Sequence, residues 1–248
     1  SDLATFLQGF TMGGGVGVGC HGSHRIVGES SRIAMPECGI GLAPDVGGTL
    51  LLARAPGRLG EYLSTTGHRM GPGDAIHAGF ADYYVPEDAW PALIERLEQT
   101  GDWTEIDAAA ETAPPSALAE TQVQIDATFA GETLRDIAAA LRAEASPWAQ
   151  ATLKAMDRNA PRAMAGAVEL VHRARASDTL EAALTQEYRF NHRIAAQGDF
   201  QEGIRALIVD KDKSPSWGTD AIDSTSLAEI AGLLLPLGAE ELTWEDVR

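Results

Sequence analysis

Over residues 1–104 the apolar positions come in short runs broken by glycine clusters. Residues 4–10, ATFLQGF, read as one buried strand running into TMGGGVGVGCHG, a glycine-rich turn that opens a small-residue helix. HRIVGE (24–29) and SRIAM (31–35) read as strand material. VGGTLLLARAPG (46–57) predicts a short helix with its apolar face at Leu50, Leu51 and Leu52, and GRLGEYLSTTG (57–67) a helix closed by Gly67, a residue suited to a C-cap. GPGDAIHAG (71–79) predicts another short helix, FADYYVP (80–86) a strand, and EDAWPALIERLEQTG an amphipathic helix. This alternation is that of an α/β protein.

The pattern changes near residue 104. Residues 105–206 are rich in Ala, Glu, Arg and Leu at helical spacing. The clearest case is residues 178–200, where Leu180, Leu184, Tyr188 and Ile194 form the expected apolar stripe and Asp178 the N-cap. Pro114-Pro115 is the candidate linker, and the chain from Lys211 (KDKSPSWGTD) reads as a loop before one short helix and an acidic end. The expected organisation is an α/β part over 1–104 and a mainly helical part over 105–248.

Composition narrows the classes. A chain of 248 residues with 44% hydrophobic and 22% charged residues has ample material for a core. Its two cysteines, Cys20 and Cys38, make no disulfide framework and have no zinc-ligand spacing around them, which fits a reducing compartment. No apolar run approaches the ~18 residues of a membrane span, and no basic-then-apolar leader opens the sequence. The expectation is a cytoplasmic protein without a membrane partner. The net charge of −17 argues against nucleic acid, since phosphate binding needs basic surface. It leaves room for a small phosphorylated ligand held by a few local cations, and otherwise reads as an aid to solubility.

Two stretches invite chemistry. Gly17-Val18-Gly19-Cys20-His21-Gly22 matches G-x-G-x-x-G, but the turn itself falls at 13–15, so the match lies inside the helix, away from the strand end where a dinucleotide site needs it. No Gly-Lys-Ser/Thr follows, which excludes a P-loop. A triple-glycine strand-to-helix turn instead leaves backbone N–H groups open to a ligand, as an oxyanion hole requires; close helix–sheet packing demands the same small residues. The second stretch, MPECGIGLAPDVGG (35–48), sets Glu37 and Asp45 in a frame of prolines and glycines. Two acids at neighbouring loop ends can share a water or a hydroxyl, one as base and one as orienter or nucleophile. The plainer readings are a solvent-exposed loop acid for Glu37 and a helix N-cap for Asp45. His21 and His24 form an H-x-x-H pair without a third ligand, so no metal is expected, and no G-x-S-x-G elbow occurs. Arg205, Lys211 and Lys213 make a small basic island that either meets a ligand's phosphates or is solvated surface.

Together GFTMGGGVG (9–17), AMPECGIGLAPDVGG (34–48), RLGEYLSTTGHRM (58–70), AGFADYYVP (78–86), EYRF (187–190) and DFQEGIRALIVDKDKSPSW (199–217) resemble the enoyl-CoA hydratase/isomerase (crotonase) superfamily, and within it most closely the 3-hydroxyisobutyryl-CoA hydrolases. The resemblance covers nearly the whole chain. It implies a crotonase-like α/β fold, a spiral of ββα units followed by a helical C-terminal region. It implies an acyl-CoA thioester substrate and no separate cofactor, coenzyme A being part of the substrate. It places the second oxyanion-hole N–H on Gly14 and the two acids on Glu37 and Asp45. Hydratases of the superfamily carry a second glutamate where this chain has Gly17, while Asp45 stands where they usually lack an acid, so hydrolysis is expected over addition of water to a double bond. Glu37 is then nucleophile or general base, and Asp45 orients water or the substrate's 3-hydroxyl. The pathway implied is valine breakdown, in the mitochondrial matrix if the source is eukaryotic. The rival expectations are another crotonase reaction, hydration or isomerisation, and a catalytically silent acyl-CoA-binding subunit. Family members carry a long segment before the glycine turn that this sequence does not include. The expectation is therefore an uncovered core face, with poor solubility, homo-oligomerisation or tight association with a missing N-terminal segment; one cooperative melting transition of the 248-residue chain would contradict it.

Overall fold

A computed structural model describes residues 2–219 and 221–244. In chain order the elements are β1 (Ala4–Leu7), β2 (Phe10–Met12), α1 (Gly14–Gly19), β3 (His24–Val27), β4 (Arg32–Ala34), α2 (Gly48–Arg54), α3 (Leu59–Thr66), α4 (Pro72–His77), β5 (Tyr83–Tyr84), α5 (Trp90–Thr100), α6 (Thr104–Ala109), α7 (Ala117–Thr128), α8 (Leu134–Glu144), α9 (Pro147–Met156), α10 (Pro161–Ser177), α11 (Leu180–Ala195), α12 (Asp199–Ile204) and α13 (Leu227–Leu233). They form two compact units, one of residues 1–34 and 69–123, the other of residues 35–68 and 124–248.

In the first unit the strand expected over residues 4–10 is two strands in two sheets. Gly9 adopts a left-handed φ of 61°, open to glycine without steric cost, and the chain turns there. β1 then pairs in parallel with β3 (Phe6 opposite Ile26), β3 with β5, and β2 in parallel with β4 (Thr11 opposite Ile33). Buried Ser31 ties the corner, donating to the Leu7 carbonyl at 2.6 Å and accepting from Gly28 N–H at 2.9 Å. One core cluster is formed by Ile26, Val85, Trp90, Leu93 and Ile106. Trp90 meets Phe6 edge-on at 5.3 Å and donates its indole N–H to Val85 O. The expected strand over 80–86 shrinks to Tyr83–Tyr84. Pro114 and Pro115, expected as a linker, instead lie with their carbonyls against Gly73.

The second unit is helical. α2 packs on α3 and both on α10, with Leu52, Leu59, Leu63, Val168 and Val171 buried. α10 and α11 approach closely at Gly166, where a Cβ would fall 2.0 Å from the Phe190 ring. α3 ends at Gly67, left-handed with φ of 63°, as the sequence predicts. α11 starts one residue later than expected: Thr179 is the N-cap, its hydroxyl accepting from Ala182 N–H. Asp178 is the left-handed C-cap of α10 and pairs instead with Arg54 at 2.7 Å. The expected stripe of Leu180, Leu184, Tyr188 and Ile194 is also displaced. Leu180 and Tyr188 are exposed, and the buried face is Ala183, Glu187, Phe190 and Ile194. A glutamate in a core stripe is the feature that leads to the site.

Candidate active site

Glu37 begins a 3-10 turn, Glu37–Ile40, directly after Pro36. The turn is held by Gly39 N–H to Pro36 O and by Ala160 N–H to Cys38 O, both at 2.9 Å. The exposed-loop reading of Glu37 does not survive: the residue is 6% accessible, and its Oε2 is buried without a hydrogen-bond partner among the described residues. Burial penalises its charged form, and the charges of Asp45 and Glu187 act the same way. Against a smaller opposing effect of its own backbone, its pKa is pushed up to about 8.

Asp45 is not a helix cap. The N-cap of α2 is Gly47, with no capping side chain of its own, and the Asp45 contribution is its main-chain carbonyl, which accepts from Gly48 N–H at 2.7 Å. The cap is supplied by Glu187 of α11. Its carboxylate accepts from Gly47 N–H at 2.8 Å, from Thr49 N–H at 3.0 Å and from the Thr49 hydroxyl at 2.5 Å. Those three donors also sit at the positive end of α2. Burial nevertheless dominates at Glu187, with Asp45 adding to it, and raises its pKa to about 7. Burial likewise raises the pKa of Asp45. Asp45 is thereby free of the structural task a cap would give it. It lines a pocket of about 580 Å³ with Glu187 and a mostly apolar wall that includes Leu42, Val46, Leu184, Tyr188 and Phe200.

The sequence-predicted acids Glu37 and Asp45 are thus in one unit, within electrostatic reach of each other and of Glu187. Gly14 lies in the other unit as the first residue of α1, where backbone N–H groups have no partner inside the helix, and nothing stands within 4 Å of where its Cβ would be. The remaining candidates take structural places. His24 stacks on Trp103 at 4.5 Å. Arg205 is held by Glu202, Asp210 and Asp212, each at 2.7 Å, so the basic island is neutralised at its centre. Cys20 and Cys38 are buried thiols whose pKa values burial pushes up. Among the described residues no group of three or more His, Cys, Asp or Glu is placed to hold a metal, and no helix is long and apolar enough to cross a membrane.

Residues 2–234 match the family described as enoyl-CoA hydratase/isomerase. The chain belongs to that family. As a member of the enoyl-CoA hydratase/isomerase family it is 33% identical to the mitochondrial 3-hydroxyisobutyryl-CoA hydrolase of Gallus gallus over 251 residues, covering 95% of this chain and 64% of that protein. It is 32% identical to the one of Homo sapiens, with the same coverage. The chain therefore spans just under two thirds of the length of these curated relatives. Among solved structures, it is similar to an enoyl-CoA hydratase from Rhodobacter sphaeroides 2.4.1, at 52% identity and a TM-score of 0.92 over 98% of this chain and 71% of that one. It is also similar to a carnitinyl-CoA dehydratase from Mycobacterium thermoresistibile, at 40% identity and a TM-score of 0.91 over 98% and 70%. The α/β crotonase-like fold expected for this enoyl-CoA hydratase/isomerase family member is the fold found.

Proposed function

We propose that this protein hydrolyses the thioester of a short-chain 3-hydroxyacyl-CoA, 3-hydroxyisobutyryl-CoA first among them, to the free acid and coenzyme A. The observation that carries this reading is Glu37, a buried carboxyl with one oxygen unpartnered among the described residues and a pKa raised to about 8, within electrostatic reach of Asp45, which lines an apolar pocket. The hydrolase names of the curated relatives support it, as does Gly17 where hydratases of the superfamily carry their second glutamate. Thioester carbon is the electrophile. Glu37 acts either by attack of its carboxylate on that carbon or by taking a proton from the attacking water; the thiolate leaves and is protonated, and water ends on the acyl product. Asp45 orients the water or the 3-hydroxyl, and the oxyanion-hole N–H is the one that the family resemblance assigns to Gly14. Both routes for Glu37 need its ionised form, so thiol release is expected to rise with pH through about 8. A rate flat between pH 6 and 9 would contradict the assignment. In this reading the protein serves valine breakdown in the cytoplasm, or in the mitochondrial matrix of a eukaryote.

The second reading is enoyl-CoA hydration, favoured by the name of the Rhodobacter sphaeroides structure. The two separate by product: loss of the enoyl absorbance without free thiol supports hydration, and thiol release from a saturated 3-hydroxyacyl-CoA supports hydrolysis.

A further inference from the structure

The loop that carries Asp45 is strained. Val46, the residue after it, has a φ of 55°, a left-handed conformation that a β-branched residue rarely adopts, and Gly47 follows at 75°. Such a backbone costs on the order of 1–3 kcal/mol and persists only where its surroundings over-determine it. The determining groups come from one helix. On the N-terminal side of Asp45, the Asn191 amide accepts from Ala43 N–H and donates to Ala43 O, both at 3.0 Å. On the C-terminal side, Glu187 takes the Gly47 and Thr49 N–H groups and the Thr49 hydroxyl. Glu187 and Asn191 are four residues apart, hence stacked on one face of α11. Asp45 hangs between these two anchors, at the pocket that α11 also lines.

We propose that Glu187 and Asn191 are positioning residues, a two-point clamp by which α11 holds the strained Ala43–Thr49 loop and sets the Asp45 carboxylate in the site. The inference rests on Asp45 belonging to the active site as proposed above. It adds a part that neither residue type shows by itself. Asn191 satisfies a free loop peptide, and Glu187 replaces the cap that Asp45 would otherwise have been. The charged groups facing Glu187 are Asp45 and, at longer range, Glu37. The other charged side chains nearby on α11 are engaged elsewhere: Arg189 with Glu241 and His192 with Glu240. Arg54 of α2 pairs with Asp178.

Two variants test the clamp from its two ends. Glu187→Gln keeps length and volume but turns an amide NH2 toward the Gly47 N–H; Asn191→Leu keeps size and removes both bonds to Ala43. Thiol release from 3-hydroxyisobutyryl-CoA is measured for each beside Asp45→Asn, and the carboxyl groups are titrated by 13C NMR, which reads them with or without turnover. Each variant is expected to lower kcat by about tenfold to a hundredfold with KM changed less than about threefold, the signature of misplacement by a fraction of an ångström. Both are expected to move the Asp45 titration. Glu187→Gln alone is expected to lower the Glu37 midpoint from about 8, because a neighbouring charge is gone. Wild-type kcat in either variant, with Asp45→Asn inactive, would overturn the clamp, and so would an Asp45 titration unchanged in both. Full activity in Asp45→Asn would instead remove the active-site reading, and the titration would still decide whether the clamp positions that residue.

Discussion

At the residue scale, Glu37 is a carboxyl kept where a carboxylate is uncomfortable. Glu37 ionises near pH 8 in the folded chain and near 4.5 when exposed, so the folded state holds the proton more tightly. The sign follows: stability is greatest below the unfolded pKa and falls as pH rises from about 4.5 to about 8. Glu37→Gln, which cannot ionise, is expected to melt within a degree or two of wild type at pH 5 but about 5 °C higher at pH 8. A Tm difference equal at both pH values would contradict the buried, proton-holding Glu37. Sequence showed where Glu37 and Asp45 stand, because prolines and glycines mark loop ends regardless of packing. It could not show Glu37's burial, which depends on what covers the turn, nor that Asp45 is relieved of capping by a residue 142 positions further along the chain. The one legible trace of Glu187 was its helical phase, shared with Ala183, Phe190 and Ile194.

At the element scale, helix ends and short strands were legible where their chemistry is local. Gly67 closes α3 because a left-handed C-cap suits glycine, and the turn chemistry of 71–79 gave α4. The errors came where tertiary packing decides. Gly9 splits one apolar run between two sheets, and the stripe on α11 turned because Gly166 of α10 receives Phe190 and the 43–49 loop receives Glu187. Thr179→Ala, removing the true cap, is expected to cost about 1 kcal/mol in urea unfolding, and Asp178→Ala, at the expected one, about half of that or less. A larger loss at Asp178 would reverse the assignment. α3 and α10 are joined by Glu61, wholly buried, which takes hydrogen bonds from Arg58, His172 and both ends of the Arg175 guanidinium. Burial works against its charge, yet these partners outweigh it and hold its pKa at about 2. Glu61→Ala leaves those donors, two of them guanidinium groups, facing a void and is expected to destabilise the protein by about 3 kcal/mol, read from its urea midpoint.

For the whole molecule, charge and length set the terms. A net charge of −17 repels the phosphates of any coenzyme A ester, and the Arg205 island offers no net attraction because three acids occupy it. For the proposed substrate, kcat/KM is expected to rise between about 10 and 150 mM salt as screening takes hold. A fall would point to a cationic docking surface. Family membership and the α/β architecture were legible because the motifs that carry them are spread along nearly the whole sequence. Hydrolysis against hydration was not decided by that breadth, since both chemistries share the fold; it rests on a few positions, Gly17, Glu37 and Asp45.

Thiol release from 3-hydroxyisobutyryl-CoA by the protein, by Glu37→Gln and by Asp45→Asn is the direct test. Turnover by the wild type is expected, with a loss of at least about 10³-fold in Glu37→Gln and a clear fall in Asp45→Asn, substrate binding being largely kept. Thiol release undiminished in Glu37→Gln would contradict this expectation.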